Sequence, residues 1–554
     1  MAAPSITTDL DLISDAEDIS ASGGVGGTWT SFNGTGGSSL GPGPDFALQG
    51  NNAIDMKISA ANGTRGPVFG PNTPQSLPAG QRWFIWTYVA TPGILTTNSG
   101  VGTAYGQGLF FGNSVASNGA RYIFNVADPD TFGAASRVGQ CYMIDPGTGP
   151  GVAGETNGSP SEPWDYIGSV ASFSATSKGS NFATDAIRRG TGLYITAGEA
   201  ADPILVTNIG AFDALKANRY GVLVPLGGGT FELQGVLAIG QNNSGTPTLA
   251  YMEDNSGFTI SAKRLFGANQ VGATKFIIDG SGTICNIRGA TFTTASIPAV
   301  TRVFDIDINN GTVDWRSVTL TGIDVTCNAN ATVSFTRCSF SQRVVNASLA
   351  DSTLVAPSAN HVFTSCNFTQ NNTTTQIQVS NLNQLVNCTF TFNGSVTGHA
   401  IDLGTVSSAQ TMNWTGTSEG YTATDGNQEI LVNYTDTTNP LIISVGAGYT
   451  TPNVKNIGPG TVSVVVAQTS LTVSNVVAGS DVVIKSSGTT TKLQDDQDIA
   501  GTTSVYTYTY SAGTFVDVAV YAEGYVPYFV NGYELGASNA TLPVAQVVDR
   551  NYTP

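Results

Sequence analysis

Five six-residue strings recur down the middle of the chain: IRGATF (Ile287–Phe292), WRSVTL (Trp315–Leu320), FTRCSF (Phe335–Phe340), FTSCNF (Phe363–Phe368) and LVNCTF (Leu385–Phe390). Each reads apolar, two variable residues, a small apolar residue, Ser/Thr/Asn, then a large apolar residue. Their starts lie 28, 20, 28 and 22 residues apart. A repeat of that length built from short β-type segments marks a solenoid, and a right-handed parallel β-helix is the simplest that fits.

Side chains two apart on a strand share a face. The fourth and sixth places of the strings therefore point inward together: Ala290/Phe292, Val318/Leu320, Cys338/Phe340, Cys366/Phe368 and Cys388/Phe390. The first place sits at odd spacing from these, so the chain must bend or bulge in between. Two places earlier lie Cys285, Val313 and Val333, the mark of a second inward strand before each corner. Stacked coils then form a Phe/Leu ladder beside an Ala/Val/Cys ladder. In the later coils His361 and Asn383 replace the apolar residue before the bend.

Four of the six cysteines (Cys285, Cys338, Cys366, Cys388) belong to this pattern, where Cys serves as a small buried hydrophobe. With no CxxC pair and only His361 and His399 as histidines, a zinc site is excluded, and no metal site is assigned. The 554 residues are 11% charged with 66 glycines, a composition of many short strands and turns. A net charge of −17 without any basic tract argues against a nucleic-acid partner. No stretch is long and apolar enough to insert in a membrane.

Four regions follow. Residues 1–180 alternate β-runs with Gly/Pro turns, as in RWFIWTYVA (Arg82–Ala90), GLFFG (Gly108–Gly112), ARYIFNV (Ala120–Val126) and GQCYMID (Gly139–Asp145). They read as an antiparallel sandwich and resemble lectin-type jelly rolls, which implies surface binding. Residues 181–219 form a linker in which Ile209, Phe212 and Leu215 fall at helical spacing. The solenoid is placed at 220–425, roughly nine coils of ~22 residues and ~40 Å. Residues 426–554 form one or more C-terminal β-domains, sandwich-like, with hairpin material at Val462–Val477 and Ser504–Val526. In the latter Tyr506, Tyr508 and Tyr510 share one face, read as core or subunit contact.

The stretch Tyr220–Gly240, with its helix-spaced lead and "TF.L.G.L.I", is similar to the opening coil of pectate-lyase-like β-helices and phage tailspikes. That resemblance implies a helix capping the open end of the solenoid, which strand edges require. The ending GYVPYFVNGYEL…NATLPVAQVVDRNYTP resembles C-terminal segments of phage virion proteins. The first twenty residues carry five acidic residues and no basic n-region, so synthesis in a host cytoplasm without a signal peptide is expected.

Members of the resembled families often cleave polysaccharide with outward carboxylates. The best candidates are Asp305 and Asp307 of FDIDI, with Asp314, Asp324 and Arg316 nearby in sequence. Residues i and i+2 on a strand stand about 6.5–7 Å apart, at the lower edge for inverting hydrolysis. A solvated polar strand face produces the same pattern and is the preferred reading. Glu253–Asp254 is weaker, since neighbours face opposite ways. DPDTFG (Asp128–Gly133) and DDQD (Asp495–Asp498) leave a structural calcium open without matching an EF-hand loop, and no cofactor is assigned.

The sequence thus reads as an all-β virion appendage: tail fibre, tailspike or capsid-surface fibre. Expected partners are itself as a homotrimer, other virion proteins and host surface polysaccharide, with Trp315 and Arg316 as outward contact residues. A polysaccharide-degrading tailspike enzyme, a capsid decoration protein and a bacterial adhesin are the alternatives.

Overall fold

In a computed structural model the strings fold as their alternation requires. The structure describes residues 5–33, 39–47, 50–57, 63–89, 107–127, 140–147, 149, 154–173, 181–196, 204–206, 222–240, 249–253, 259–262, 274–294, 304–343, 353–393, 398–466, 468–511, 513–536 and 538–551. Among these the chain is all-β, its only helical turns the short 3-10 segments Pro44–Phe46 and Leu382–Gln384. It divides into two compact units: 1–378 with 393–397, and 379–392 with 398–554.

The first unit begins with an antiparallel sandwich. One sheet runs in the order 140–144, 82–89, 181–190, 53–57, 39–43, and the other 154–157, 121–127, 107–112, 166–173, 63–71, 27–32. Trp29, Phe69, Trp83, Phe111 and Trp164 are buried between them. Phe111 and Trp164 meet edge-on at 5.8 Å, a geometry that suits the ring quadrupoles. The four β-runs expected here are the strands Arg82–Val89, Gln107–Gly112, Arg121–Ala127 and Gln140–Ile144. The linker reading of residues 181–190 is corrected: Asn181–Gly190 is a sandwich strand, its Phe182, Ala183, Ala186 and Ile187 buried by neighbours on both sides.

The same unit continues as a parallel β-helix with three strands per coil. One complete coil is Phe304–Ile308, Thr312–Arg316 and Thr319–Thr321; the next is Asp324–Cys327, Thr332–Thr336 and Ser339–Ser341. We call these the first, second and third faces. The register stacks like on like: Cys285, Val313, Val333 and His361 form one inward row, Ile287, Trp315, Phe335 and Phe363 the next. On the third face Phe292, Leu320, Phe340 and Phe368 align. Rings stack directly, Phe292 on Trp315 at 5.3 Å and 4°, Phe340 on Phe368 at 4.9 Å and 9°. The remaining ladder residues Ala290, Val318, Cys338 and Cys366 are buried too.

The bend between second and third faces has a definite cause. The third place of each string adopts positive φ: Gly289 70°, Ser317 55°, Arg337 53°, Ser365 53° and, in the second unit, Asn387 55°. One left-handed residue turns the chain and reverses the in/out parity, so that places one, four and six all face the core. For a non-glycine residue this conformation costs about 1–2 kcal/mol, which the ladders on either side offset. Corner N–H groups bond to the next coil, as Gly289 to Arg316 O and Ser317 to Thr336 O, both 2.9 Å.

The exposed edges at the start of the helix are covered by strands. Ser5–Thr8 pairs antiparallel with Gly192–Thr196 on the first face, and Leu223–Gly227 pairs antiparallel with Thr230–Leu233 on the third. The expected capping helix at Ile209, Phe212 and Leu215 lies outside the described residues, as does DPDTFG.

In the second unit, 385–392, 411–419, 441–445 and 462–466 pair in parallel, as do 401–406, 430–434 and 454–456. Parallel coils therefore extend past the expected boundary at 425. Cys388 and Phe390 are buried here, Phe390 stacking on Trp414 at 5.6 Å. The hairpin expected over 462–477 does not form: Val462–Val466 belongs to the parallel coils, while Thr469–Ser474 pairs antiparallel with Thr503–Tyr508. The C-terminal sandwich buries Leu471, Val473, Val482, Ile484, Val516 and Val518. Tyr508 is buried in that core with Tyr506 and Tyr510 packed against it, so the tyrosine stripe is an inward face.

All six cysteines are free and buried. Cys338 and Cys366 donate weakly to the carbonyls of Trp315 (3.5 Å) and Phe335 (3.3 Å), and burial pushes the Cys285 thiol up to about 12.

Two stability outcomes follow. Trp315→Ala is expected to cost about 3–5 kcal/mol, the range for emptying a large buried aromatic site. Gly289→Ala is expected to cost about 1 kcal/mol, while Ser317→Gly at the equivalent corner costs nothing or stabilises slightly. Denaturant midpoints at constant m-value measure all three.

Candidate functional site

The outward rows of the first face bring together the residues singled out from FDIDI. Phe304, Ile306 and Ile308 are buried, which leaves Asp305 and Asp307 pointing out. One coil earlier, TKFII (Thr274–Ile278) places Lys275 opposite Asp305, and Asp324 lies opposite it one coil later. Lys275 Nζ reaches Asp307 Oδ2 at 2.8 Å and Asp305 Oδ2 at 3.4 Å. Burial raises the Asp305 pKa, with Lys275 pulling it back. Burial also opposes the Lys275 charge, but Asp307 and Asp305 outweigh it and raise that group above an ordinary lysine. Asp324 accepts the Thr353 N–H at 2.9 Å.

Chemically this is a clamp: two carboxylates share one ammonium across adjacent coils. An acid–base pair for glycoside hydrolysis needs one protonated carboxyl and one free carboxylate flanking the scissile bond, and here the Lys275 ammonium occupies both. Nothing in the string around Lys275 itself marks it as part of this group. Its signal was the 30-residue offset between Lys275 and Asp305, one coil length, visible once first-face strands are aligned.

Asp314 and Arg316 do not join this group. The chain turns at Gly311 (φ 88°), and both residues stand on the second face. There Arg316 clasps Asp314, Nε to Oδ1 and Oδ2 at 3.2 and 3.1 Å and Nη2 to Oδ2 at 2.8 Å. Trp315 is corrected outright. It is 0% exposed, packed among Phe276, Phe292 and Phe335, because strand alternation sends it inward between outward Asp314 and Arg316.

His361 fills a buried place in the inward row. Ser358 N–H donates to Nδ1 (3.3 Å), which leaves the Nε2 proton for Asn328 O at 3.1 Å. In the DDQD stretch, Lys492 pairs with Asp495, and Asp496 accepts from Ser504 Oγ at 2.6 Å and Gln494 Nε2 at 2.5 Å. No group of three or more metal-ligating side chains occurs among the described residues.

The sandwich carries a groove of about 520 Å³ lined by residues 77–81, Tyr122, Asp145, Gly147 and 160–162. Its carboxylates are engaged in holding its walls: Glu162 accepts from Leu77 N–H (3.3 Å) and Trp164 Nε1 (3.1 Å), Asp145 from Gly147 N–H (3.0 Å).

No protein-family model matches the chain, and no curated protein matches it. Among solved structures it is similar to the CBM22-1 xylan-binding domain of Paenibacillus barcinonensis Xyn10C, at 12% identity over 34% of this chain and 96% of that one, TM-score 0.19. A GH87 α-1,3-glucanase catalytic domain in complex with nigerose matches at 10% identity over 79% and 95%, TM-score 0.19. The Agl-KA catalytic domain matches at 11% over 84% and 98%, TM-score 0.17. TM-scores this low do not equate the folds, and the architecture stands on strand pairing alone.

His361 gives a pH outcome. Burial lowers its pKa below 6.5, so the unfolded chain takes up the proton first. The neutral ring contributes fully above about 6.5, and stability is lost as pH falls from there through the folded value. Denaturant midpoints at about pH 7.5 and about pH 5.5 are expected to differ less in His361→Gln than in the parent.

Proposed function

We propose that this chain is a structural and adhesive component of a phage particle, a tail fibre, tailspike or capsid-surface fibre that binds host surface glycans. The observation that carries this reading is the stack of coils in the first unit. Its interior is filled by aromatic and aliphatic ladders, and its outward carboxylates at Asp305 and Asp307 are both clamped by the one Lys275 ammonium. Such a stack is a stiff support with repeating polar rows outside, suited to display and multivalent contact. The resemblance of residues 220–240 and of the C-terminal segment to tailspikes and virion proteins supports the setting.

Self-association is supported by the second unit. Tyr521, Val526, Phe529, Val547 and Val548 are exposed large apolar residues, Phe529 at 56% and Val547 at 63%, with Tyr521 and Phe529 in edge contact at 5.7 Å. Apolar exposure of this kind marks interaction surfaces, and a trimer about a three-fold axis would cover it. The depolymerase alternative requires Lys275 to release its carboxylates, which makes it the weaker reading.

Light scattering after size exclusion is expected to give three times 57.2 kDa, and Phe529→Lys with Val547→Lys is expected to give monomer. A monomeric parent overturns the trimer. Whole protein is expected to bind host cells and to release no reducing ends from their polysaccharide. Reducing-end release abolished by Asp305→Asn would replace adhesion with depolymerisation.

A further inference from the structure

The sandwich holds a carboxylate under a strap, away from the coils and from the groove. On the strand Ala53–Lys57, Ile54 points into the sandwich core, so alternation turns Asp55 to the other side of the sheet. In register, Gly41, Asp55, Ala183 and Tyr88 stand side by side across four strands. The segment Ser39–Phe46 closes over this line. Its strand Ser39–Gly43 is the edge of the sheet, and the 3-10 turn Pro44–Phe46 lays Phe46 against Tyr88, 4.8 Å between ring centroids. A Cβ on Gly43 would stand 2.9 Å from Asp55 Cβ and 3.2 Å from Phe46 Cδ2, so the backbone of the strap rests on the Asp55 side chain.

Under this cover the carboxylate is only half satisfied. Oδ2 accepts from Asn181 Nδ2 at 3.0 Å, while Oδ1 is buried with no hydrogen-bond donor. Of the titratable groups on the elements around it, Lys57 on its own strand and Asp45 on the strap are exposed, and Tyr88 is half-buried. Burial pushes the Asp55 carboxyl up to about 6, with Lys57 pulling it back. A buried carboxylate oxygen without a donor is far costlier as an anion than as a neutral acid. Two changes relieve it: binding a proton, or lifting the strap so that water reaches the anion. Lifting the strap breaks a single edge ladder, to which Pro42 has no N–H to give.

We propose that Ser39–Phe46 is a pH-sensitive strap, held over neutral Asp55 in mildly acid solution and loosened by the Asp55 carboxylate as pH rises. Its release frees one side of Ala53–Lys57, which then becomes the edge of the sheet. This device is independent of what the chain adheres to.

Covered, the carboxyl titrates at about 6, and uncovered at its ordinary 3.8. Closure is therefore strongest below the lower value and weakens as pH rises through the upper one. The ratio of closed to open strap falls about tenfold between about pH 5 and about pH 7.5. Hydrogen exchange of the full chain, read by mass spectrometry on peptides covering the strap and corrected for the intrinsic pH dependence of exchange, measures that ratio. Strap protection is expected to be about tenfold higher at the lower pH, with no such step in the core strand Gln107–Gly112. Asp55→Asn is expected to keep the strap protected at both pH values. Phe46→Ala thins the cover and leaves Asp55 in place, and is expected to lower the midpoint of the step. Equal strap protection at the two pH values in the parent, a step that persists in Asp55→Asn, an unmoved midpoint in Phe46→Ala, or an equal step in Gln107–Gly112 overturns the proposal.

Discussion

Everything in the coil stack depends on one left-handed residue per turn. A strand cannot direct places one, four and six of a string to the same side, because alternation sends the first place away from the other two. Gly289, Ser317, Arg337, Ser365 and Asn387 each break that parity with φ between 50° and 70°. Only then do Trp315 and Phe292 stack, and only then does each coil present the same chemistry to the next. The local cost of the conformation is about 1–2 kcal/mol for a non-glycine residue. Ladder burial on both sides exceeds it, at roughly 1.5–3 kcal/mol for each large apolar side chain.

Much of this was legible because a repeat states its own register. The ladder Ala290/Phe292 through Cys388/Phe390 followed from spacing alone, as did the need for a bend. That the bend is left-handed is hidden, since Ser317, Arg337 and Ser365 give no signal of positive φ, and only Gly289 and Asn387 are residue types that favour it. Trp315 was misread through its type: an aromatic beside Arg316 suggests a contact surface, yet its place in the string assigns it to the core. At Val462–Val477 an alternating pattern is the same for parallel and antiparallel partners, so a run that belongs partly to the coils looked like a hairpin. Asn181–Gly190 reads as linker because its polar residues obscure a central strand, although its ATDAI core pairs on both sides.

The clamp on Asp305 and Asp307 shows where sequence reading fails for sites. Both carboxylates were found, and their outward direction was right. Their partner lay one coil away, and without it two neighbouring aspartates resemble an acid–base pair. Coil stacking turns distant positions into neighbours. Lys275 beside Asp305, and Arg288 beside Arg316, are contacts of the register and not of the local string.

The six thiols have a consequence for where such a molecule can travel. All are free, buried and built into hydrophobic rows, and burial holds Cys285 and Cys327 as neutral thiols with pKa values near 12. A thiolate is the species that oxidises or exchanges, and these sites supply almost none. At Cys285 and Cys327 the covalent skeleton is therefore the same in a reducing compartment as in air. Those two coils keep their packing through a change of redox surroundings, with no bond made or broken at sulfur.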